Sequence, residues 1–283
     1  MGQYILCGPA ASTPWTDREL GIRIMSMEEM AYYILHFIPL IDNRFVDEPL
    51  YDFLKSLGKA DVAGRIKRSV RASMDLYQVL MILLRDSGYC SDPEISDFFE
   101  QYNAFHRREP AVQDLERADL LYGRGRYENA VRIYQRILGG PARAAKNPAL
   151  FAQASQHMGA CYMQLGCFDE AMECFQAAWE AGRDPAVQKQ IYFAAMLAGR
   201  PLPEELENVD ALRFGRWQAE YLEAETRHLN SVQESMEERG IIPLSKDTRS
   251  AAKNRLTALR LGYRKMRGME CTAPAGDTGR HSG

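Results

Sequence analysis

A pattern of small and aromatic residues occurs twice between residues 114 and 175, with the same spacing in both copies. The first copy contains Asp114, Ala118, Leu121, Gly125, Tyr127, Ala130 and Tyr134. The second contains Ser155, Gly159, Tyr162, Gly166, Phe168, Ala171 and Phe175. Each copy predicts two closely packed helices joined at a glycine, because glycine readily adopts the left-handed conformation that ends a helix. The duplication therefore favours a fold built from stacked helical pairs.

The second copy resembles the signature of the tetratricopeptide repeat (TPR). The matching residues are Gly159, Tyr162, Ala171, Phe175 and Pro185, with Met158 at the position of the usual leucine. The first copy departs more, since Ala118 replaces the glycine and Leu121 the tyrosine. The copies are 41 residues apart, against a usual period of about 34, which indicates an insertion between Gly139 and Pro148. The competing interpretation is two unrelated helical hairpins with coincident spacing.

The resemblance implies an all-α, helical-repeat fold of the TPR-like, right-handed superhelical type, with flanking N- and C-terminal helices. Residues 187–197 predict one further helix of the first type. The opening Met1–Cys7 together with Met27–Tyr33 also resembles the start of some uncharacterised bacterial proteins that carry such repeats, which implies no activity. We expect four segments: a helical domain at 1–108, repeats at 109–200, an acidic and basic helix pair at 201–270, and a disordered tail at 271–283.

The N-terminal segment has helical signals of its own. Ser26–Glu29 is a capping box, and the apolar run it opens ends at Pro39. Further helices are predicted at 48–57, at 60–85 and from the Asp92–Pro93 cap onward. Before these helices, Tyr4–Leu6 and Ile22–Met25 are β-prone, which allows a small hairpin or an extended cover strand.

Composition excludes several classes of protein. With 46% hydrophobic residues and a net charge of -3, the chain is typical of an ordinary folded protein, and its overall charge does not favour a nucleic-acid partner. An apolar run of about 18 residues is lacking, as is a signal sequence, so we expect no membrane span and a cytoplasmic location. The six scattered cysteines indicate reduced thiols, not a disulfide framework.

The motif search favours binding over catalysis. The chain lacks the dinucleotide-binding and P-loop glycine patterns, H-E-x-x-H and G-x-S-x-G. His157, Cys161 and Cys174 come nearest to a metal site, but zinc usually takes four ligands, and cysteine is often a small apolar core residue. We therefore predict no catalytic residues, no cofactor and no metal, and leave an enzyme site within the first 108 residues as a minor alternative.

The resemblance places ligands along the concave face of the first helix of each pair. Carried over to this sequence, the predicted protein-binding groove is lined by Leu115, Asp119, Tyr122, Gln156, Ala160, Met163, Gln164, Gln190 and Leu197. This lining is apolar and amide-bearing, and it lacks the Lys, Arg and Asn with which some family members clamp a carboxylate. Tyr122 and Met163 are the predicted anchors, with packing between repeats as the competing interpretation.

A charge reversal marks the C-terminal part. Residues 204–238 hold ten acidic residues and three arginines, a net charge of -7, and residues 239–283 hold ten basic and three acidic residues, a net charge of +7. A long acidic helix, loosened at Gly215, is expected to reach about Glu238. A basic amphipathic helix follows, with Lys246, Arg249, Lys253, Arg260, Arg264 and Arg267 beside its apolar stripe. Pairing with the acidic helix is the favoured interpretation, ahead of an acidic protein partner, nucleic acid or a membrane.

These patterns together predict a non-catalytic protein–protein interaction adaptor or scaffold. It would bind a peptide or helix of a partner in a TPR-like concave groove. The alternative is a regulatory sensor that binds a peptide or small ligand in the groove and uses the basic C-terminal helix as its output.

Overall fold

The computed structural model describes residues 8–71, 75–139 and 147–238. This part of the chain forms eleven α-helices and one two-stranded antiparallel sheet, which confirms the predicted all-α, helical-repeat class. The chain divides into two compact units, and the boundary lies between Ile133 and Tyr134. The segment bounds proposed from the sequence remain a prediction.

The first unit contains the sheet and most of the helices. The strands are β1 (Trp15–Thr16) and β2 (Arg23–Ile24), and Trp15 pairs with Ile24. The helices are α1 (Met27–His36), α2 (Glu48–Ser56), α3 (Ala60–Arg71), α4 (Leu76–Ser87), α5 (Asp92–His106), α6 (Pro110–Gly123) and the start of α7 (Tyr127–Leu138). The small hairpin allowed by the sequence is thus confirmed, with Trp15–Thr16 as the partner of β2, whereas Tyr4–Leu6 lies outside the described residues.

Local signals at the start of α1 and α5 act largely as the sequence predicts. The Ser26 hydroxyl accepts a hydrogen bond from the Glu29 N–H at 3.2 Å, and the Glu29 carboxylate reaches back to the Met25 N–H. At α5 the cap is Ser91, one residue before the predicted Asp92, and the Glu94 carboxylate accepts the Ser91 N–H at 2.8 Å. In both cases a side chain satisfies a backbone donor that the first helical turn leaves unpaired.

The predicted single helix over 60–85 is wrong. It is two helices, α3 and α4, because Asp75 has extended backbone angles (φ -66°, ψ 149°) and stands as the cap before Leu76. An extended residue cannot carry the i to i+4 hydrogen-bond pattern of a helix. The separation allows α1 to pack against α4, with Met30, Ile34, Leu80 and Leu83 in the buried core.

A network of charges joins the N-terminal loop of the first unit to α6. The Arg117 side chain, 14% exposed, donates to Glu19 at 3.0 Å and to Asp42 at 3.1 Å. The Asn129 amide adds a hydrogen bond to the Glu19 carbonyl at 2.8 Å. Burial acts to raise the pKa of Asp42, but hydrogen bonds from Arg44 and Arg117 outweigh it and lower that pKa to about 2.

The second unit consists of successive helical layers. They are α8 (Pro148–Gln164), α9 (Phe168–Gly182), α10 (Pro185–Ala198) and α11 (Ala211–Glu238), with a 3-10 turn at Glu204–Leu206 before α11. Helix α9 packs against both α8 and α10. The predicted third helix of the first type is therefore present as α10.

The small residues of the repeat do what the pattern predicts. A Cβ atom added at Gly159 would lie 2.6 Å from Cε1 of Phe175, so only glycine allows this close approach of α8 to α9. Gly125 and Gly166 both have a φ of +71°, in the left-handed region that ends the preceding helix. Ala171 and Phe175 of the second copy are both fully buried.

The further helix predicted at residues 187–197, α10, has a partner helix that was not predicted from the sequence. The Tyr192 ring of α10 contacts Phe214, Trp217 and Tyr221 of α11, with ring centroids 5.2–6.4 Å apart. Trp217 is only 6% exposed. Helix α11 also continues through Gly215 without the predicted interruption. The link between α10 and α11, through Pro201, Pro203 and the 3-10 turn, is longer than the turns within the repeats. The spacing of the two helices therefore departs from the repeat pattern, which is why the sequence did not reveal this pair.

Two predicted C-terminal features, the basic helix at 246–267 and the tail at 271–283, lie outside the described residues. Among the residues that the structure does describe, no helix combines the length and apolar character that crossing a membrane requires.

Candidate protein-binding surface

Helix α8 exposes one face, and that face carries the predicted ligand-binding residues. The helix begins cleanly because Asn147 accepts the Leu150 N–H at 3.0 Å and Pro148 occupies the first helical position. Its buried stripe contains Ala154, Ser155, Met158, Gly159, Cys161 and Tyr162. The opposite face carries Gln156, Ala160 and Met163, each half-buried, and Gln164, which is exposed. These four side chains are therefore accessible within the second unit.

Helix α10 continues this surface. The Gln156 amide of α8 donates a hydrogen bond to the Gln190 amide oxygen of α10 at 2.9 Å. Leu197 lies two turns further along α10 and is 42% exposed. Six of the predicted residues thus lie on accessible parts of these two helices, and we call them the amide–apolar face: Gln156, Ala160, Met163, Gln164, Gln190 and Leu197.

An aromatic residue of α10 that was not predicted from the sequence lies beside this face. Phe193 of α10 is half-buried, and its ring centroid lies 5.9 Å from that of Tyr221 of α11. The Lys189 ammonium, which lies 5.8 Å from the same ring, forms an ion pair with Glu220 at 2.5 Å. Phe193 is three residues after Gln190 and four before Leu197, a helical spacing that marks it as part of the same side of α10.

The predicted groove residues on α6 belong to the first unit, and one of them is not accessible. Leu115 is only 5% exposed, because it lies three residues before Ala118 on the buried stripe of α6. This corrects its assignment to a ligand-binding surface. Asp119 and Tyr122 are half-buried, and the Tyr122 ring packs 5.6 Å from that of Tyr127 in α7. The contact with Tyr127 gives Tyr122 a packing role within its own helical pair.

The amide–apolar face is suited to binding, since its polar groups are neutral amides that both donate and accept hydrogen bonds. Beside it, burial raises the pKa of the Tyr192 hydroxyl, and burial together with Glu225 raises that of Tyr221. Both phenols therefore stay protonated at neutral pH. The face can form neutral hydrogen bonds and apolar contacts, and its charge does not change near neutral pH.

Two cysteines of the second unit, Cys161 and Cys174, lie in its buried core. Cys161 and Cys174 are 0% and 4% exposed, and His157 contacts the Tyr134 ring edge-on at 6.2 Å. Their burial agrees with the expectation that these cysteines pack as small apolar residues.

Comparison with known proteins agrees with this geometry. The family model described as tetratricopeptide repeat matches residues 121–190. The match spans the end of α6, the whole of α7, α8 and α9, and the first part of α10. This is a TPR-like helical protein. No curated protein and no solved structure matches the chain. TPR repeats generally mediate protein–protein interaction and are typically non-catalytic.

Proposed function

We propose that this TPR-like protein is a non-catalytic adaptor or scaffold, and that it binds a peptide or helix of a partner protein on the amide–apolar face. The observation that carries the proposal is the 2.9 Å hydrogen bond between Gln156 and Gln190. It links the first helices of two successive layers at these two positions, and Met163 and Leu197 lie on accessible parts of the same two helices. Ligands of TPR-like proteins lie along such first helices.

The side chains of the face define the chemistry of the ligand. Met163 and Leu197 offer apolar surface, and the methionine adapts to side chains of different shape. The three glutamines offer hydrogen bonds at positions between these apolar groups. An amphipathic helix presents the matching arrangement, with apolar residues along one stripe and polar residues beside it. The absence of a cationic group among the six residues makes an acidic chain terminus a poor ligand for this face.

Two residues of the predicted groove lie on α6 of the first unit and are not part of the amide–apolar face. Asp119 and Tyr122 occupy the corresponding positions on α6, and their part in binding remains a prediction from the sequence pattern. The proposal for the amide–apolar face does not depend on them.

Affinity capture from the native cell tests the function. We compare the wild type with Met163→Ala plus Leu197→Ala, and quantify the captured proteins by mass spectrometry. The control is Leu212→Ala plus Leu222→Ala, which removes two apolar side chains that are 65% and 52% exposed on α11. We expect at least a tenfold loss of specific partners from the first variant and retention by the control. Retention of every partner by a folded first variant would contradict the proposal.

A further inference from the structure

A second surface, in the first unit, has a different chemistry. It is a groove of about 350 Å³ formed by the loop and strand at Leu20–Ile24, by α1, and by the turn between α6 and α7. Its lining includes three apolar side chains and three arginines: Ile22, Tyr32, Phe37, Arg23, Arg124 and Arg126. We call it the arginine–aromatic groove.

The apolar part of this groove is accessible. Ile22 is 37% exposed and Tyr32 is 36% exposed, although each is large enough to contribute to a core. Phe37 is 4% exposed and fixed by packing against Tyr33, with ring centroids 5.1 Å apart. The groove therefore has a rigid aromatic base and two apolar side chains that still face water, where burial by a ligand would be favourable.

The arginines of the groove differ in their partners from other arginines of the first unit. In the part of the chain that the structure describes, no carboxylate forms an ion pair with Arg23, Arg124 or Arg126. Elsewhere in the same unit, by contrast, Arg44 and Arg117 both lie against carboxylates. The Arg124 guanidinium instead lies 4.8 Å from the centre of the Phe37 ring, which holds it over the aromatic base.

The net charge of the groove is positive although the chain as a whole has a net charge of -3. Its lining contains one carboxylate, that of Glu29, and this group is engaged by the Met25 N–H at 2.5 Å. Arg126 is close to the loop, since a Cβ atom at Gly21 would lie 3.1 Å from its Nη2. Guanidinium groups recognise carboxylates in a bidentate geometry, so the unpaired arginines favour an acidic ligand.

We propose that the arginine–aromatic groove binds an acidic peptide segment of a partner protein. One large apolar side chain of the peptide packs against Tyr32 and Phe37, while carboxylates on either side of it pair with Arg124, Arg126 and Arg23. A nucleic acid fits less well, because it needs an extended track of positive charge along its phosphates. This groove accommodates only a few side chains. The site lies in a different unit from the amide–apolar face. It selects an acidic ligand, whereas the six residues of that face carry no charge.

Fluorescence anisotropy with the full chain tests this proposal. The probe is a fluorescein-labelled peptide of about twelve residues in which Asp and Glu flank a central Phe–Leu pair. A matched peptide carries Asn and Gln at the acidic positions, and a single-stranded oligothymidylate of twelve nucleotides serves as a polyanion without apolar side chains. We expect saturable binding of the acidic peptide that weakens with salt, and at least tenfold weaker binding of the other two probes.

Substitutions locate the binding. Arg124→Glu plus Arg126→Glu should weaken binding of the acidic peptide at least tenfold, and Tyr32→Ala should weaken it about threefold. Arg132→Glu is the matched control, because Arg132 is exposed on α7 and outside the groove lining; we expect a change of less than about twofold. If the double charge reversal melts differently from the wild type, Arg124→Gln plus Arg126→Gln replaces it with the same expected direction.

Three results would overturn the proposal. The first is equal binding of the acidic and amide peptides, or no binding of either. The second is tighter binding of the oligothymidylate, which would make the groove a nucleic-acid site. The third is an equal loss of peptide affinity in Arg132→Glu, which would show that the net charge of the protein, and not the groove, determines binding. None of these results bears on the amide–apolar face, which is tested by Met163 and Leu197.

Discussion

The N-terminal part of the first unit and the repeat layers of the second unit are stabilised by contacts of different kinds. In the second unit, Gly159 and Phe175 are 16 positions apart in the chain, and Ala118 and Tyr134 repeat the same spacing in the sequence. In the first unit, Arg117 meets Glu19 and Asp42, which are 98 and 75 positions away. Local apolar contacts repeat and can be recognised in a sequence, whereas distant ionic contacts occur once and cannot.

The two units also differ in the surfaces that they expose. The amide–apolar face of the second unit consists of neutral side chains on regular helices. The arginine–aromatic groove of the first unit is formed where a loop, α1 and the α6–α7 turn meet, and it retains unpaired positive charge. If each surface has its own ligand, the protein can connect two partners of different chemistry.

The largest expected effect concerns the limit of the repeat region. If α11 is the second helix of a third layer, Trp217→Ala should destabilise the second unit by about 3 kcal/mol, because it removes a large side chain that is 6% exposed. Hydrogen exchange with mass spectrometry measures the loss of protection in α10 and α11. Leu222→Ala, at a position 52% exposed, should leave protection unchanged. Equal protection of α10 and α11 in the two variants would show that α11 is not the second helix of a third layer.

The next effect concerns the charge network of the first unit. Arg117→Ala should destabilise this unit by about 2 kcal/mol, since it removes a guanidinium that is 14% exposed and pairs with the partly buried carboxylates of both Glu19 and Asp42. Arg44→Ala is the matched control, because Arg44 contacts the same carboxylates with a side chain that is 75% exposed; its cost should stay below about 1 kcal/mol. Urea unfolding measures both. Similar costs would show that burial does not distinguish the two arginines.

An effect of similar size tests the close approach of α8 to α9 in the repeat. Gly159→Ala should cost about 2 kcal/mol, because the new Cβ would collide with the buried Phe175 ring. Phe175→Leu in the same chain should recover part of that loss. Gly215→Ala, in an open position of α11, should be neutral or stabilise by about 0.5 kcal/mol. Thermal melting of these three variants beside the wild type checks the prediction, and a neutral Gly159→Ala would refute the steric argument.

The smallest effect is a dependence on pH. The pKa of Asp42 falls from 3.8 to about 2 in the folded protein. Its carboxylate therefore stabilises the first unit above pH 4, and this contribution is lost as the pH falls towards 2. Asp42→Asn should be less stable than the wild type by about 1 kcal/mol at pH 7, allowing for a side chain that is 34% exposed. Urea unfolding should show this difference shrink below pH 4; a difference constant down to pH 2 would contradict the assignment.

The sequence predicted those features that depend on local chemistry. The cap at Ser26, the left-handed glycines 125 and 166, and the Gly159–Phe175 contact each follow from residues close together in the chain. The break at Asp75 was missed because the apolar periodicity on both sides suggested one continuous helix. The pairing of α10 with α11 was missed because the intervening link does not have the repeat length.

The candidate surfaces were predictable to different degrees. Positions carried over from the repeat pattern located six accessible residues of the amide–apolar face, although the same transfer wrongly included Leu115, which shares a buried stripe with Ala118. The arginine–aromatic groove had no sequence signal. Its arginines lie about 100 positions apart, and only the folded chain brings Arg23 to the turn that carries Arg124 and Arg126.

We propose that the partner protein binds on the amide–apolar face. Site-specific photo-crosslinking in the native cell measures this contact at single positions. A photoreactive amino acid replaces Gln164, which is exposed on α8, or Glu180, which is exposed on α9. Mass spectrometry then identifies the crosslinked proteins. We expect a discrete crosslinked partner from position 164 and none from position 180. The crosslink at position 164 should be lost when Met163→Ala and Leu197→Ala are added. Crosslinks of equal yield at both positions, or at position 180 alone, would contradict it.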